Sequence, residues 1–181
     1  LLALEFRVRS GEGDWSRWFQ MGSWKSEIKQ DRRSSDHTYG NLETDHFKGA
    51  TFFDQVQYRV KFSTADPSQT PLLRAVFFCA STTQPGDQCE LDEFSGHPAD
   101  LDVPWISQYD PDAVKDRILM EAGVCAATSV TMVLKYYNLP ANVRDIGKRA
   151  YDPSTGIYGN WAFLCAAASE LGPEARIERF S

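Results

Sequence analysis

Ala122-Gly123-Val124-Cys125-Ala126-Ala127-Thr128-Ser129-Val130-Thr131-Met132-Val133-Leu134-Lys135-Tyr136-Tyr137 is the stretch on which the reading of this chain turns. A single cysteine follows a glycine turn and heads an apolar segment of helical spacing. A thiol in that place meets the unpaired backbone N–H groups of the first helical turn, whose partial positive charge favours the thiolate. The same N–H groups can donate to a tetrahedral oxyanion. Ala126 and Ala127 leave room beside the thiol, and Gly123 lets the chain come close ahead of the helix. Ala126, Ala127, Val130, Val133, Leu134 and Tyr137 spread around most of the circumference, which predicts a buried helix from Cys125 to about Tyr137, ended by Pro140. A lone helical cysteine is more often packing than chemistry. Cys165, within Leu164-Cys165-Ala166, is read in that ordinary way.

Working outward, the next elements are also helical. Asn142 is placed to cap a helix from about Val143 to Tyr151. Asp152-Pro153-Ser154-Thr155-Gly156 reads as a loop, and a further helix runs from near Asn160 to Leu171, stopped by Gly172-Pro173. Ala175 to Phe180 alternates and reads as the next strand. Upstream, Val103-Pro104-Trp105-Ile106-Ser107-Gln108 is extended and Asp110-Pro111-Asp112 is a turn.

Residues 1–81 have another character. Leu2, Leu4, Phe6 and Val8 alternate with Ala3, Glu5, Arg7 and Arg9. Gly11-Glu12-Gly13-Asp14 is a turn, and an aromatic strand-like run from Trp15 to Met21 ends at Gly22. Val56-Gln57-Tyr58-Arg59-Val60-Lys61-Phe62 has strict period two, with Val56, Tyr58, Val60 and Phe62 on one face and Gln57, Arg59 and Lys61 on a wet one. A last strand is expected from about Leu72 to Cys79. Short strands with frequent turns predict an antiparallel β-sandwich. Trp15, Trp18 and Trp24 lie near Arg7, Arg9 and Arg17 in sequence. They read either as rings packed beneath arginine stems or as a face for a glycan or cell-wall polymer, the packing being the commoner use of such residues. Gln30 to His37 reads as a polar loop, and His46, between Asp45 and Phe47, as a half-exposed strand histidine.

Composition limits the function classes. Of the 181 residues 42% are hydrophobic and 24% charged, the pattern of a globular chain. Net charge is −6, which argues against nucleic acid as the main partner. The acidic excess sits in residues 82–102, where Asp87, Glu90, Asp92, Glu93, Asp100 and Asp102 occur without a lysine or arginine, so this stretch reads as a linker. No apolar run is long enough to span a membrane. No signal peptide is visible, and the strand-like opening reads as a processed, trimmed or partial chain. Cys79 and Cys89 bracket a short loop with Pro85-Gly86, and two readings stand: a disulfide, implying an oxidising compartment, or two unpaired thiols. The absence of a Cys-x-x-Cys pair and the scatter of the three histidines speak against a zinc site, and no cofactor is expected.

Gln108 adds to Cys125. A neutral amide N–H is a suitable second oxyanion donor, since it stabilises charge without perturbing the thiolate. Without the cysteine it would be an ordinary surface glutamine. Val103 to Gln108, the Gly123-Val124-Cys125-Ala126-Ala127-Thr128-Ser129 helix start and Asn160-Trp161-Ala162-Phe163 together resemble the N-terminal half of the family 39-like cysteine peptidases. These are papain-like enzymes related to bacteriocin-processing peptidases. The likeness covers about 103–181. It implies Cys125 as nucleophile and Gln108 in the oxyanion hole, with a histidine base and its Asp or Asn partner later in the chain. Cys-Ala-Ala-Thr stands here where the family commonly has Cys-Gly-Pro-Thr. His37, His46 and His97 all precede Cys125, so the base is expected beyond Ser181. Residues 1–81 resemble, more weakly, segments that precede such domains in secreted bacterial proteins.

The expected class is α+β: a β-sandwich over 1–81, an acidic linker over 82–102, and over 103–181 the helical half of a papain-like domain without its sheet half. The expected function is hydrolysis of a peptide or amide bond through a Cys125 acyl-enzyme, with a peptide or protein substrate and a secreted or cell-surface location. The competing reading is a non-catalytic glycan- or wall-binding protein with an inactive papain-like domain. Transamidation or amide hydrolysis on a non-protein substrate would share the same acyl-enzyme.

Overall fold

The alternation of residues 2–9 gives the central strand of the first sheet, because it offers one apolar face to a core and one charged face to solvent. The computed structural model describes residues 2–24, 35–36, 38–68, 72–82, 99–153 and 155–178, and the chain is mixed α and β. It divides into two units, Leu1–Val76 and Phe77–Ser181.

In the first unit, β1 (Leu2–Arg9) lies between β2 (Phe19–Trp24) and β6 (Gln55–Phe62), antiparallel to both. The register with β2 shifts between Leu4 and Glu5. A second antiparallel sheet has the order β3 (Ser35–Asp36), β4 (Gly40–Leu42), β5 (Phe47–Gly49). Phe6, Val8 and Phe19 of the first sheet and Leu42 of the second form one core, with Met21, Tyr39, Phe47 and Phe53 against it. Phe19 is fully buried, and its ring centroid lies 4.7 Å from that of Phe47 and 5.5 Å from that of Phe6. Gly40 cannot be replaced in place: its φ is +142°, and a Cβ there would stand 2.3 Å from the Lys48 carbonyl oxygen. The polar segment Gln30 to His37 falls outside the described residues except for the backbone of Ser35 and Asp36.

The charged face of the first sheet is a ladder of its own. Arg7 Nε donates to Gln57 Oε1 at 2.7 Å, and Arg9 Nη2 donates to Gln55 Oε1 at 2.5 Å. Glu5 accepts from Arg59 and, at 2.9 Å, from Lys61. The Arg7 guanidinium lies 4.8 Å from the Trp15 ring centroid and 4.7 Å from that of Trp18, and Arg59 lies 4.0 Å from Trp18. The arginines thus already stack on these two half-buried tryptophans.

Burial opposes ionisation of Glu5, but hydrogen bonds from Lys61 and Arg59, with their charge, outweigh it and hold the carboxyl below its ordinary value of 4.5. A depressed folded-state value contributes stability above the unfolded value that is lost as pH falls through the folded one. Wild type is therefore expected to exceed Glu5→Gln in urea midpoint at neutral pH. The gap should close as pH falls below about 4.5 and the carboxyl of the wild type takes up its proton.

Several expectations are corrected here. Leu72–Cys79 carries no strand, and Leu72 is 81% exposed. Residues 175–178 carry none either, while 179–181 are outside the described residues. Phe77 to Ala80 and Arg176 to Glu178 instead border one cavity, with Arg176 lying 5.6 Å from the Phe77 ring centroid. Alternation alone does not make a strand: the backbone N–H and C=O groups need a ladder partner, and these two segments form no ladder. On β6, Val56, Tyr58 and Phe62 are exposed, because β6 is an edge strand and the shared core is centred on β1 and β2.

The second unit is helical: α1 (Pro111–Val114), α2 (Arg117–Ala122), α3 (Cys125–Tyr136), α4 (Val143–Arg149) and α5 (Trp161–Ser169). The first two were not anticipated, since Asp110-Pro111-Asp112 reads as a turn. Asp110 Oδ1 accepts from the Asp112 amide, and Asp116 Oδ1 accepts from the Ile118 and Leu119 amides, so each starts a short helix. Asp116 also meets Lys148 Nζ at 3.1 Å and so ties α2 to α4. That hydrogen bond from Lys148, against some desolvation, holds the Asp116 carboxyl below its ordinary value. The core is built from Val114, Leu119, Val124, Ala127, Leu134, Val143, Ile146, Phe163, Leu164 and Ala167. Gly147 of α4 is buried against Leu119 and Val124, where a Cβ would make ordinary contacts at 3.5 Å and 3.6 Å.

The α3 helix is not buried all round. Ala127, Thr128, Thr131 and Leu134 face the core, while Val133 is 51% and Tyr137 63% exposed. The threonines replace the expected apolar positions. Thr131 does so cheaply, because its hydroxyl donates to the Ala127 carbonyl at 2.8 Å.

Candidate active site

The start of α3 differs from that of every other described helix. Side chains cap α1, α2, α4 and α5, through Asp110, Asp116, Asn142 and Asn160. The residue before α3 is Val124, which has no side chain able to cap it. Val124 is buried and anchors the chain, while Gly123, at φ +79°, turns it out of α2. The amides of Cys125, Ala126 and Ala127 consequently point out of the helix end without an intrahelical acceptor. Cys125 is exposed at that end, and Ser129 Oγ donates to its carbonyl at 3.0 Å.

Gln108 lies in the turn ahead of α1, where the Asp110 amide donates to the Ser107 carbonyl at 3.2 Å. Its amide oxygen is buried without a hydrogen-bond partner. No hydrogen bond joins its side chain to Cys125. The Thr128 hydroxyl, in the Cys-x-x-Thr segment, is likewise buried and unpartnered. Polar atoms in that condition are rare in folded proteins and occur where a structure stores strain or holds chemistry.

The other thiols fit other uses. Burial pushes the Cys165 thiol up, as expected for a packing residue. Cys79 is free and exposed, and Cys89 lies outside the described residues, as do most of 82–102, His37 and His97. His46 is exposed in the first unit, with Nδ1 2.9 Å from Asp45 Oδ1. Among the described residues no group of three or more His, Cys, Asp or Glu side chains could hold a metal. No helix among them is long and apolar enough to cross a membrane. A groove of about 530 Å³ between residues 104–106, α1, α3 and α4 is bordered by Ile106, Thr131 and Lys135 but by neither Cys125 nor Gln108.

Sequence reasoning passed over one buried pair. Asp152 and Asn160 are 1% and 0% exposed, and Asn160 Nδ2 donates to Asp152 Oδ2 at 2.9 Å. Asn160 Oδ1 accepts from the Phe163 amide at 3.3 Å and so caps α5. The Asp152 amide donates to the Ile157 carbonyl at 2.8 Å, closing the loop between them. The signal was present as a turn-forming Asp-Pro and a capping Asn, but nothing local said that they meet. Asn160→Ala removes a cap and strips a buried carboxylate of one partner, so a loss of about 2–3 kcal/mol is expected in chemical denaturation.

Residues 1–81 match the family described as Peptidase C39 N-terminal domain. Residues 100–176, which include Gln108, Cys125 and Asn160, match the one described as Peptidase_C39 like family. No curated protein and no solved structure matches the chain. Front segment and helical segment point the same way, and by these two matches the chain belongs to the C39-like, papain-like peptidases.

Proposed function

We propose that the protein is a cysteine peptidase acting on a peptide or protein substrate, with Cys125 as its nucleophile. The observation that carries this reading is an exposed cysteine at the one described helix end without a side-chain cap, inside the segment that matches a peptidase family. The thiolate attacks the scissile carbonyl carbon, and the carbonyl electron pair moves onto oxygen. The Cys125 backbone N–H and the Gln108 side-chain amide donate to that oxyanion. Collapse breaks the C–N bond, and the amine leaves with a proton from the general acid. Water then hydrolyses the thioester and restores the thiol. The mechanism also needs a base to take the thiol proton, and His37, His46 and His97 all precede Cys125. The Gln108 side-chain oxygen is buried without a partner, and in this reading it is the N–H of the same amide that donates. In the same reading, the two sheets that share the Phe6–Phe19–Phe47 cluster form a small sandwich in front of the peptidase domain.

The test is thiol reactivity at neutral pH. Cys79, exposed in the same chain, is the internal reference. Iodoacetamide is expected to alkylate Cys125 about tenfold faster than Cys79 as read by peptide-resolved mass spectrometry. Equal rates would remove the ground for calling Cys125 the nucleophile.

A further inference from the structure

The first sheet has two edge strands, and they differ. β2 meets β1 through a register shift between Leu4 and Glu5. Such an irregularity twists an edge and spoils it for further pairing. β6 has eight residues, none of them proline, and pairs with β1 without interruption from Leu2↔Phe62 to Arg9↔Gln55. β3 and β5, at the edges of the second sheet, have only two and three residues. Among the described strands, β6 therefore offers the one long, regular edge, with a row of backbone N–H and C=O groups along its outer side.

The charges that usually guard such an edge are turned inward here. Charged side chains on an edge strand oppose pairing with another chain. On β6 these are Arg59 and Lys61, and both bind Glu5 of β1 on the inner side, with Arg59 also stacked on Trp18. The other face is apolar, with Val56 and Tyr58 each 51% and Phe62 43% exposed. Tyr58 stands across from Phe6 and Val56 across from Val8, so these exposed groups extend the face that forms the core.

β6 is also complementary to itself. A two-fold axis perpendicular to the sheet sets two copies of a strand antiparallel with the same face turned the same way. Centred on Tyr58, the ladder puts Val56 opposite Val60 of the second copy, Gln57 opposite its Arg59 and Gln55 opposite its Lys61. Apolar groups meet apolar groups, and each cation meets an amide. Centred on Arg59, the ladder would put the two Arg59 side chains directly opposite each other, which like charges disfavour.

We propose that β6 is the interface of a symmetric dimer, in which it pairs antiparallel with β6 of a second copy in the register centred on Tyr58. The two sheets then run on as one, and Val56 and Tyr58 gain cross-strand partners. This does not depend on the peptidase reading, which concerns the second unit.

Sedimentation equilibrium of the chain, from about 1 to about 100 µM with a thiol reductant present, reads the assembly directly, and wild type is expected to dimerise within that range. Val56→Lys sets an ammonium against Val60 of the second copy and should raise the dimer Kd at least about tenfold. Gln57→Glu keeps the acceptor for Arg7 and adds a carboxylate opposite Arg59 of the second copy, so it should lower the Kd about threefold. It carries the test if the lysine variant does not fold. A wild type that is monomeric throughout, a species larger than a dimer, or a dimer whose Kd neither variant moves in the expected direction would overturn the proposal.

Discussion

Replacement of Cys125 by alanine is expected to lower kcat/KM for peptide cleavage by about 10⁴–10⁶-fold, because a covalent mechanism has no alternative first step once its nucleophile is gone. The side chain is exposed and packs into no core position, so folding stability should stay within about 0.5 kcal/mol of wild type. The pairing of a large kinetic loss with an unchanged denaturation midpoint is the result to look for. Cys165→Ala is the matched control. Its thiol is half-buried, so it should lose stability and keep activity. Cleavage by Cys125→Ala at the wild-type rate would rule out the thioester route.

The second large effect is expected at Gln108. Gln108→Ala should lower kcat by about 10²–10³-fold with little change in KM, since an oxyanion donor strengthens its bond only as charge develops. Gln108→Glu should be at least as damaging, because a carboxylate would face the developing negative charge. Its buried oxygen has no partner in the folded protein, so removing the amide breaks no existing hydrogen bond. Stability should accordingly hold or rise slightly while activity falls, a combination that a purely structural glutamine would not give. Equal kcat in wild type and Gln108→Ala would remove it from the oxyanion hole.

The readable parts of this molecule were those written in neighbouring residues. The alternation of residues 2–9 and 55–62 gave β1 and β6, whose pairing runs from Leu2↔Phe62 to Arg9↔Gln55. Asn142 and Asn160 marked the starts of α4 and α5, since a capping side chain bonds amides only two or three residues away. Cys125 was found at the head of α3 for the same local reason. The short helices α1 and α2 escaped because each has barely one or two turns. The cap at Asp110 reads in sequence as part of a turn, which shares the same chemistry, and the cap at Asp116 was passed over.

What the sequence determined by itself was therefore β1, β6 and the helices α3 to α5, with Cys125 at the head of α3, because capping, periodicity and residue type are short-range properties. What only the tertiary structure decided was which faces are covered. It left Val56, Tyr58 and Val133 exposed and buried Thr128 and Thr131. It joined Asp152 to Asn160 and set Gly159 beside the residue that follows Cys125. Burial and contact between segments depend on which element packs where, and no spacing within one segment encodes that.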